Sequence, residues 1–228
     1  MDISSQVIKE CVTQLNQTST GVTSYKKGVA DAHNLVLRSI TEQQVEDVIQ
    51  PFLYGWGKMG RVLGKDEYFE WQERLANRIT SNASVLEQFR ARELTSDDPA
   101  QYASEIKHCY DSFSGETDDK VVGPIAAAKT LHLLCPTFLP PWDTAIARSA
   151  RTERLGIDYD DEKPEKKSGM DYFQFVVQVR DFIRTHDTLI SELSSLYGKS
   201  KVKIVDECFW LAANRPLFIL MSASSSSD

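Results

Sequence analysis

The sequence predicts an all-α fold, and three observations carry that expectation. Apolar residues recur three and four positions apart in one segment after another, helix-opening signals stand in front of several of those segments, and no stretch alternates apolar and polar residues with period two as a half-buried strand does. Roughly nine or ten helices fit the pattern.

The elements follow in order. Val7, Ile8, Val12 and Leu15 form the first apolar stripe, and a Thr/Ser-rich stretch from Gln17 to Thr23 reads as a loop. Val45, Val48, Ile49, Phe52, Leu53 and Trp56 form the next, opened by Thr41 with Gln44 three residues on, a capping box. Tyr68, Trp71, Leu75 and Ile79 continue the series, then Val85, Leu86 and Phe89, then Tyr102, Ile106, Cys109, Tyr110 and Phe113. Asp97-Asp98-Pro99 in front of this last stripe supplies an N-cap and a first-turn proline. After Gly123-Pro124 an alanine-rich helix runs to Leu134, and Asp143-Thr144 opens another beyond a proline-bounded loop. The charged segment Gly156 to Gly169 is a loop. Tyr172 to Tyr197 is one long helical pattern stopped by Gly198, and Val202 to Ala213 ends at Asn214-Arg215-Pro216. No repeat or linker forces a boundary, so residues 1–221 read as a single all-α domain and the serine-rich 222–228 as a disordered tail.

Composition excludes several classes. With 41% hydrophobic and 26% charged residues the chain has the make-up of a soluble globular protein. It holds no run of eighteen apolar residues, and Met1-Asp2-Ile3-Ser4 does not begin a signal peptide, so an intracellular protein without a membrane anchor is expected, a monomer in the simplest case. Cys11, Cys109, Cys135 and Cys208 never fall in C-x-x-C spacing, so the expectation is four buried thiols, no metal site and no iron–sulfur cluster. The net charge of -7 argues against casual nucleic-acid binding, which phosphate neutralisation drives. Local positive charge does occur: Arg148, Arg151 and Arg154 recur every three residues and suit phosphates, whereas Lys163, Lys166 and Lys167 are cancelled by Asp160, Asp161, Glu162 and Glu165. Lys199, Lys201 and Lys203 form a further basic run.

One motif is misleading. Gly55-Trp56-Gly57-Lys58-Met59-Gly60 satisfies G-x-G-x-x-G but follows a helical pattern and not a strand, so it reads as a helix end with Trp56 and Met59 in the core.

The segment from Val121 to Arg148 holds the candidate chemistry. A glycine at Gly123 lets backbone N–H groups approach a phosphate, or equally closes a tight helix–helix turn that binds nothing. Asp143 is placed to cap a helix, and the same position holds a carboxylate ionised where it can stabilise a sugar oxocarbenium or activate water. Lys129, among Ala126, Ala127, Ala128, Leu131, Leu133 and Leu134, is either a partly desolvated nucleophile or an ammonium reaching past a packed helix to solvent. His132 and Trp142 are candidates to line a base pocket and are also ordinary core residues; Tyr25, Trp56 and Tyr110 are further stacking candidates.

Val122-Gly123-Pro124, Pro141-Trp142-Asp143-Thr144, Arg148 and Leu155-Gly156 together resemble the helix-hairpin-helix DNA glycosylase superfamily over about a sixth of the chain. The resemblance implies two helical lobes around a cleft, binding of duplex DNA through Gly123, Thr144, Arg148 and Arg151, extrusion of a damaged or modified base against Trp142 and His132, and cleavage of its N-glycosidic bond by Asp143 without a cofactor. Such a cut leaves an abasic site, in repair or in defence against modified foreign DNA. The lysine that bifunctional members carry at the start of the hairpin's second helix is missing, with Ile125 in its place; Lys129 lies one turn along the same face. Two other readings stay open: a non-enzymatic protein-interaction module in which Lys129 and Asp143 form a structural ion pair, and an enzyme that hydrolyses free nucleosides or nucleotides.

Overall fold

The structure, a computed structural model, describes residues 4–18, 21–115, 121–143, 146 and 168–214. All of its regular elements are helical. In chain order these are α1 (Ser5–Thr18), α2 (Gly21–His33), α3 (Glu42–Gln44), α4 (Gln50–Gly55), α5 (Gly60–Leu63), α6 (Trp71–Ser81), α7 (Ala83–Arg90), α8 (Ala103–Ser114), α9 (Gly123–Leu134), α10 (Gly169–Thr185), α11 (Asp187–Tyr197) and α12 (Lys201–Asn214), with short 3-10 turns between some of them. One connected apolar core runs from Val7 to Leu211. Among the described residues no helix is long and apolar enough to cross a membrane. The four cysteines are free and buried.

Local chemistry explains the boundaries. The Thr41 hydroxyl accepts from the Gln44 N–H at 3.2 Å while Gln44 Oε1 accepts from the Thr41 N–H at 3.0 Å, the expected capping box. The helix it opens widens into a π turn at Val45–Ile49 before α4. Pro51 accounts for that: its ring clashes with the carbonyl of residue 47 in a regular helix and it has no N–H to give. Asp98 caps the turn before α8 by accepting from the Ala100 N–H at 3.1 Å, and also pairs with Arg180 of α10.

Two expectations are corrected. The Tyr172 to Tyr197 pattern is two helices, because the chain breaks at His186 (φ -118°, ψ 26°), whose N–H closes on Phe182 and Ile183, and Asp187 opens α11 with its side chain held by Lys201. Gly198 does end the second of them, at φ 58°. The loop expected over Gln17 to Thr23 is also much shorter, since α1 reaches Thr18 and α2 starts at Gly21. Helix α2 hides in the sequence because Lys26, Lys27 and Gly28 interrupt its stripe. A helical glycine costs about 1 kcal/mol against alanine, yet here a Cβ would lie 2.5 Å from Phe52 Cδ2, so Gly28 is what lets α2 lie against α4.

The packing sets up one site. Helix α10 lies on α8, α8 on α9, and α2 spans α4 and α9. Helix α12 packs against α1, α10 and α11. The end of α4, the middle of α2 and α9, the loop after α9 and the face of α12 therefore converge on a common cavity.

Gly123 is a buried turn residue at φ 72°, and a Cβ on it would meet Tyr68 Oη at 2.7 Å. Of the two readings of Gly123, the tight turn is the one whose geometry the packing shows. Gly123→Ala is expected to cost about 1–3 kcal/mol in urea unfolding, from left-handed strain plus the clash. In a Tyr68→Phe background the clash is relieved and the strain is not, so the penalty should shrink without vanishing.

Candidate functional site

The cavity, of about 410 Å³, is lined by Tyr25, Trp56, Gly57, Lys129, Trp142, Asp143, Lys203, Asp206 and Glu207, with Leu15, Val22, Gly55, Lys58, Pro141 and Trp210 completing its walls. Its positions come from local geometry. Helix α4 stops at Gly55; the Gly57 N–H then bonds Phe52 O and the Met59 N–H bonds Leu53 O, both at 2.9 Å, with Lys58 between them at φ 57°. A Cβ at Gly57 would stand 2.5 Å from Leu53 O, so only glycine fits. This turn points the Gly57 carbonyl at α9, where it accepts from Lys129 Nζ at 2.8 Å. Met59 is buried as expected, whereas Trp56 is half-buried and forms part of the cavity wall.

Lys129 faces the cavity and does not reach past its helix to open solvent. Its ammonium lies 5.5 Å from the centre of the Trp56 ring. Burial drives its pKa below the usual lysine value, with Lys203 acting the same way and Asp143 and Asp206 opposing. Asp143 Oδ1 accepts from the Ile146 N–H at 2.9 Å, an N-cap contact, and the residue stays partly exposed to the cavity. Among the described residues no ion pair joins Lys129 to Asp143, so the structural pair required by the interaction-module reading is not formed.

Of the two expected lining residues, Trp142 borders the cavity and His132 does not. His132 is fully buried behind Tyr25 and Trp56, and does not border the cavity. Its Nδ1 lies 2.8 Å from Leu139 O, an acceptor only, so Nδ1 carries the proton and Nε2 accepts from Tyr25 Oη at 2.9 Å. It is a structural bridge between α2, α9 and the loop after α9. Trp142 does border the cavity but is 1% exposed, its ring stacked on Phe175 at 5.4 Å and Tyr172 at 6.1 Å. That makes it core wall; the accessible indoles are Trp56 and Trp210, the latter 38% exposed. Tyr110 is core as well, stacked on Tyr172 at 4.5 Å. Thr144, Arg148 and Arg151 lie outside the described residues, as do Arg154, Leu155-Gly156 and the serine-rich tail.

Burial holds the His132 imidazole neutral, its pKa lowered to about 3. Unfolded, it takes up a proton as pH falls below about 6.5; folded, it resists until about 3. The unfolded chain then binds more protons, so this residue's contribution to stability is complete above pH 6.5 and is lost as pH falls toward 3, by roughly 4–5 kcal/mol in full. Urea midpoints at pH 7 and pH 4 test it: His132→Gln, which does not titrate, should show the smaller acid loss.

The sequence reading missed the wall formed by α12. Residues Val202 to Phe209 are all buried, three charges included. Lys203 Nζ bonds the Asp206 carboxylate, lies 3.7 Å from Glu207 Oε1, and sits 4.6 Å from the Trp56 ring centre and 5.1 Å from that of Tyr25. Glu207 is held by Lys199 at 2.5 Å and by Asn16 of α1 at 3.0 Å, and Asn16 Oδ1 accepts from Lys199 at 2.7 Å. Burial raises the Asp206 carboxyl above its ordinary range against the pull of Lys203, with Asp143 and Glu207 adding to the rise. Lys203, Asp206 and Glu207 inside the apolar run Val202 to Leu211, with Lys199 one turn before it, were the available signal. Among the described residues no group of three or more His, Cys, Asp and Glu is arranged to hold a metal. Comparison with protein families, curated proteins and solved structures gives no match.

Proposed function

We propose that this chain is a DNA glycosylase-like enzyme that takes an extruded damaged or modified base into the Lys129–Asp143 cavity and cleaves its N-glycosidic bond. The fold would be of the helix-hairpin-helix glycosylase type, its helices forming two lobes about this cleft. One observation carries the reading: Lys129 and Asp143, on separate elements, open into the same aromatic-walled cavity. Trp56 and Tyr25 offer apolar faces for a base, and a carboxylate at a helix start suits the positive charge that develops on the sugar as the base departs. Lys129, desolvated and close to Asp143 in the same space, is either the nucleophile at the sugar carbon, giving a Schiff base, or a hydrogen-bond donor to the base. Basic residues such as Arg148 would meet the DNA backbone.

Hydrolysis of free nucleosides or nucleotides is the second reading, and the net charge of -7 favours it. Binding of a duplex bearing an abasic-site analogue, measured against salt, separates the two. A DNA glycosylase should bind with affinity falling steeply as salt rises; no binding at low salt, together with cleavage of free nucleosides, would establish the alternative.

A further inference from the structure

Two carboxylates face the cavity from different elements, and their settings differ. Asp143 accepts the Ile146 backbone N–H and borders the cavity, partly exposed. Asp206 is buried in α12, and among the described residues Lys203 is its one hydrogen-bond partner. The other groups facing it are Glu207 on its own helix, Asp143 from the loop after α9, Lys129 from α9 and Tyr25 from α2. Glu207 and the rings of Trp56 and Tyr25 also lie against the Lys203 ammonium. Asp206 can therefore hold a proton without leaving a bare cation behind.

Resting on the N-glycosidase reading, we propose that Asp206 is a further catalytic residue, the general acid that protonates the departing base, while Asp143 serves the sugar. The step balances. The bond between C1′ and the base nitrogen breaks with its electron pair going to the base, and the Asp206 carboxyl proton moves to that base. A water adds its oxygen to C1′ and gives a proton to Asp143; Asp143 then releases that proton to solvent and Asp206 takes one up, which restores both residues. A buried carboxyl and a partly exposed one in the same cavity form the arrangement that divides acid and stabiliser in glycosidic cleavage. Burial raises the Asp206 carboxyl against the pull of Lys203, and Asp143 and Glu207 add to the rise, in keeping with the acid role.

The test is single-turnover base excision against pH for wild type, Asp206→Asn and Asp206→Glu, on whichever base of a damaged-duplex panel the wild type releases. The wild-type rate should fall as pH rises through the Asp206 titration, above the ordinary carboxylate range. Asp206→Asn should lose about 10²-fold or more and lose that alkaline limb, and Asp206→Glu should restore a limb at a displaced pH and part of the rate, a readout that serves even if Asp206→Asn does not fold. An Asp206→Asn enzyme with an unchanged rate, or one slowed equally at every pH with the wild-type limb intact, would overturn the acid role while leaving the N-glycosidase reading standing. A wild type inactive on the whole panel and on free nucleosides would overturn both.

Discussion

Asp143→Asn is expected to lower the rate of base excision by about 10²–10⁴-fold with little change in DNA affinity, because the amide keeps a cap for the Ile146 N–H but brings no negative charge to the sugar. Asn is as good an N-cap as Asp, so the fold should be undisturbed and circular dichroism unchanged. Reading KM beside kcat makes the distinction: loss of a group acting in the transition state lowers kcat and kcat/KM together. A drop in affinity alone would instead assign Asp143 to binding.

The second large effect is on stability and lies in the buried charges in α12 and just before it. Lys199, whose side chain is 0% exposed, meets Glu207 at 2.5 Å, and Asn16 ties both to α1. Removing one member strands a charge in the core, so Lys199→Met or Glu207→Leu should each cost about 3–5 kcal/mol in urea unfolding. The double variant Lys199→Met/Glu207→Leu removes both charges and should recover most of that loss. If the single and double variants were equally destabilised, the cost would be lost packing and not an uncompensated charge.

The two predictions fall on opposite sides of what the sequence made legible. Lys129 and Asp143 could be read because everything that defines them is local: a glycine-proline turn, an alanine-rich helix and a proline-bounded loop lie within one short segment. Helix positions were legible for the same reason wherever a cap or a stripe announced them, as at Thr41 and Asp98. What failed depended on distant contacts. The Lys199–Glu207 pair is satisfied by Asn16, 191 residues from Glu207, and in the sequence Lys199 and Lys203 look like members of an exposed basic run. Helix α2 was missed because its glycine makes sense only against Phe52; Tyr25 was named as a stacking candidate, but its hydrogen bond to His132 depends on that packing. Where the His132 and Trp142 rings lie relative to the cavity is decided by Leu139, Phe175 and Tyr172, which the sequence does not place.

The most direct measurement is identification of the products released from a panel of duplexes carrying damaged or modified bases, by mass for the free base and by alkaline cleavage for the abasic site, with wild type, Asp143→Asn and Lys129→Ala side by side. An N-glycosidase built on this cavity should release one class of base and leave an abasic strand in equal amount, with release abolished in Asp143→Asn; borohydride trapping that vanishes in Lys129→Ala would add the lysine as nucleophile. Release that persists unchanged in folded Asp143→Asn, or no release from any duplex or nucleoside by the wild type, would contradict it.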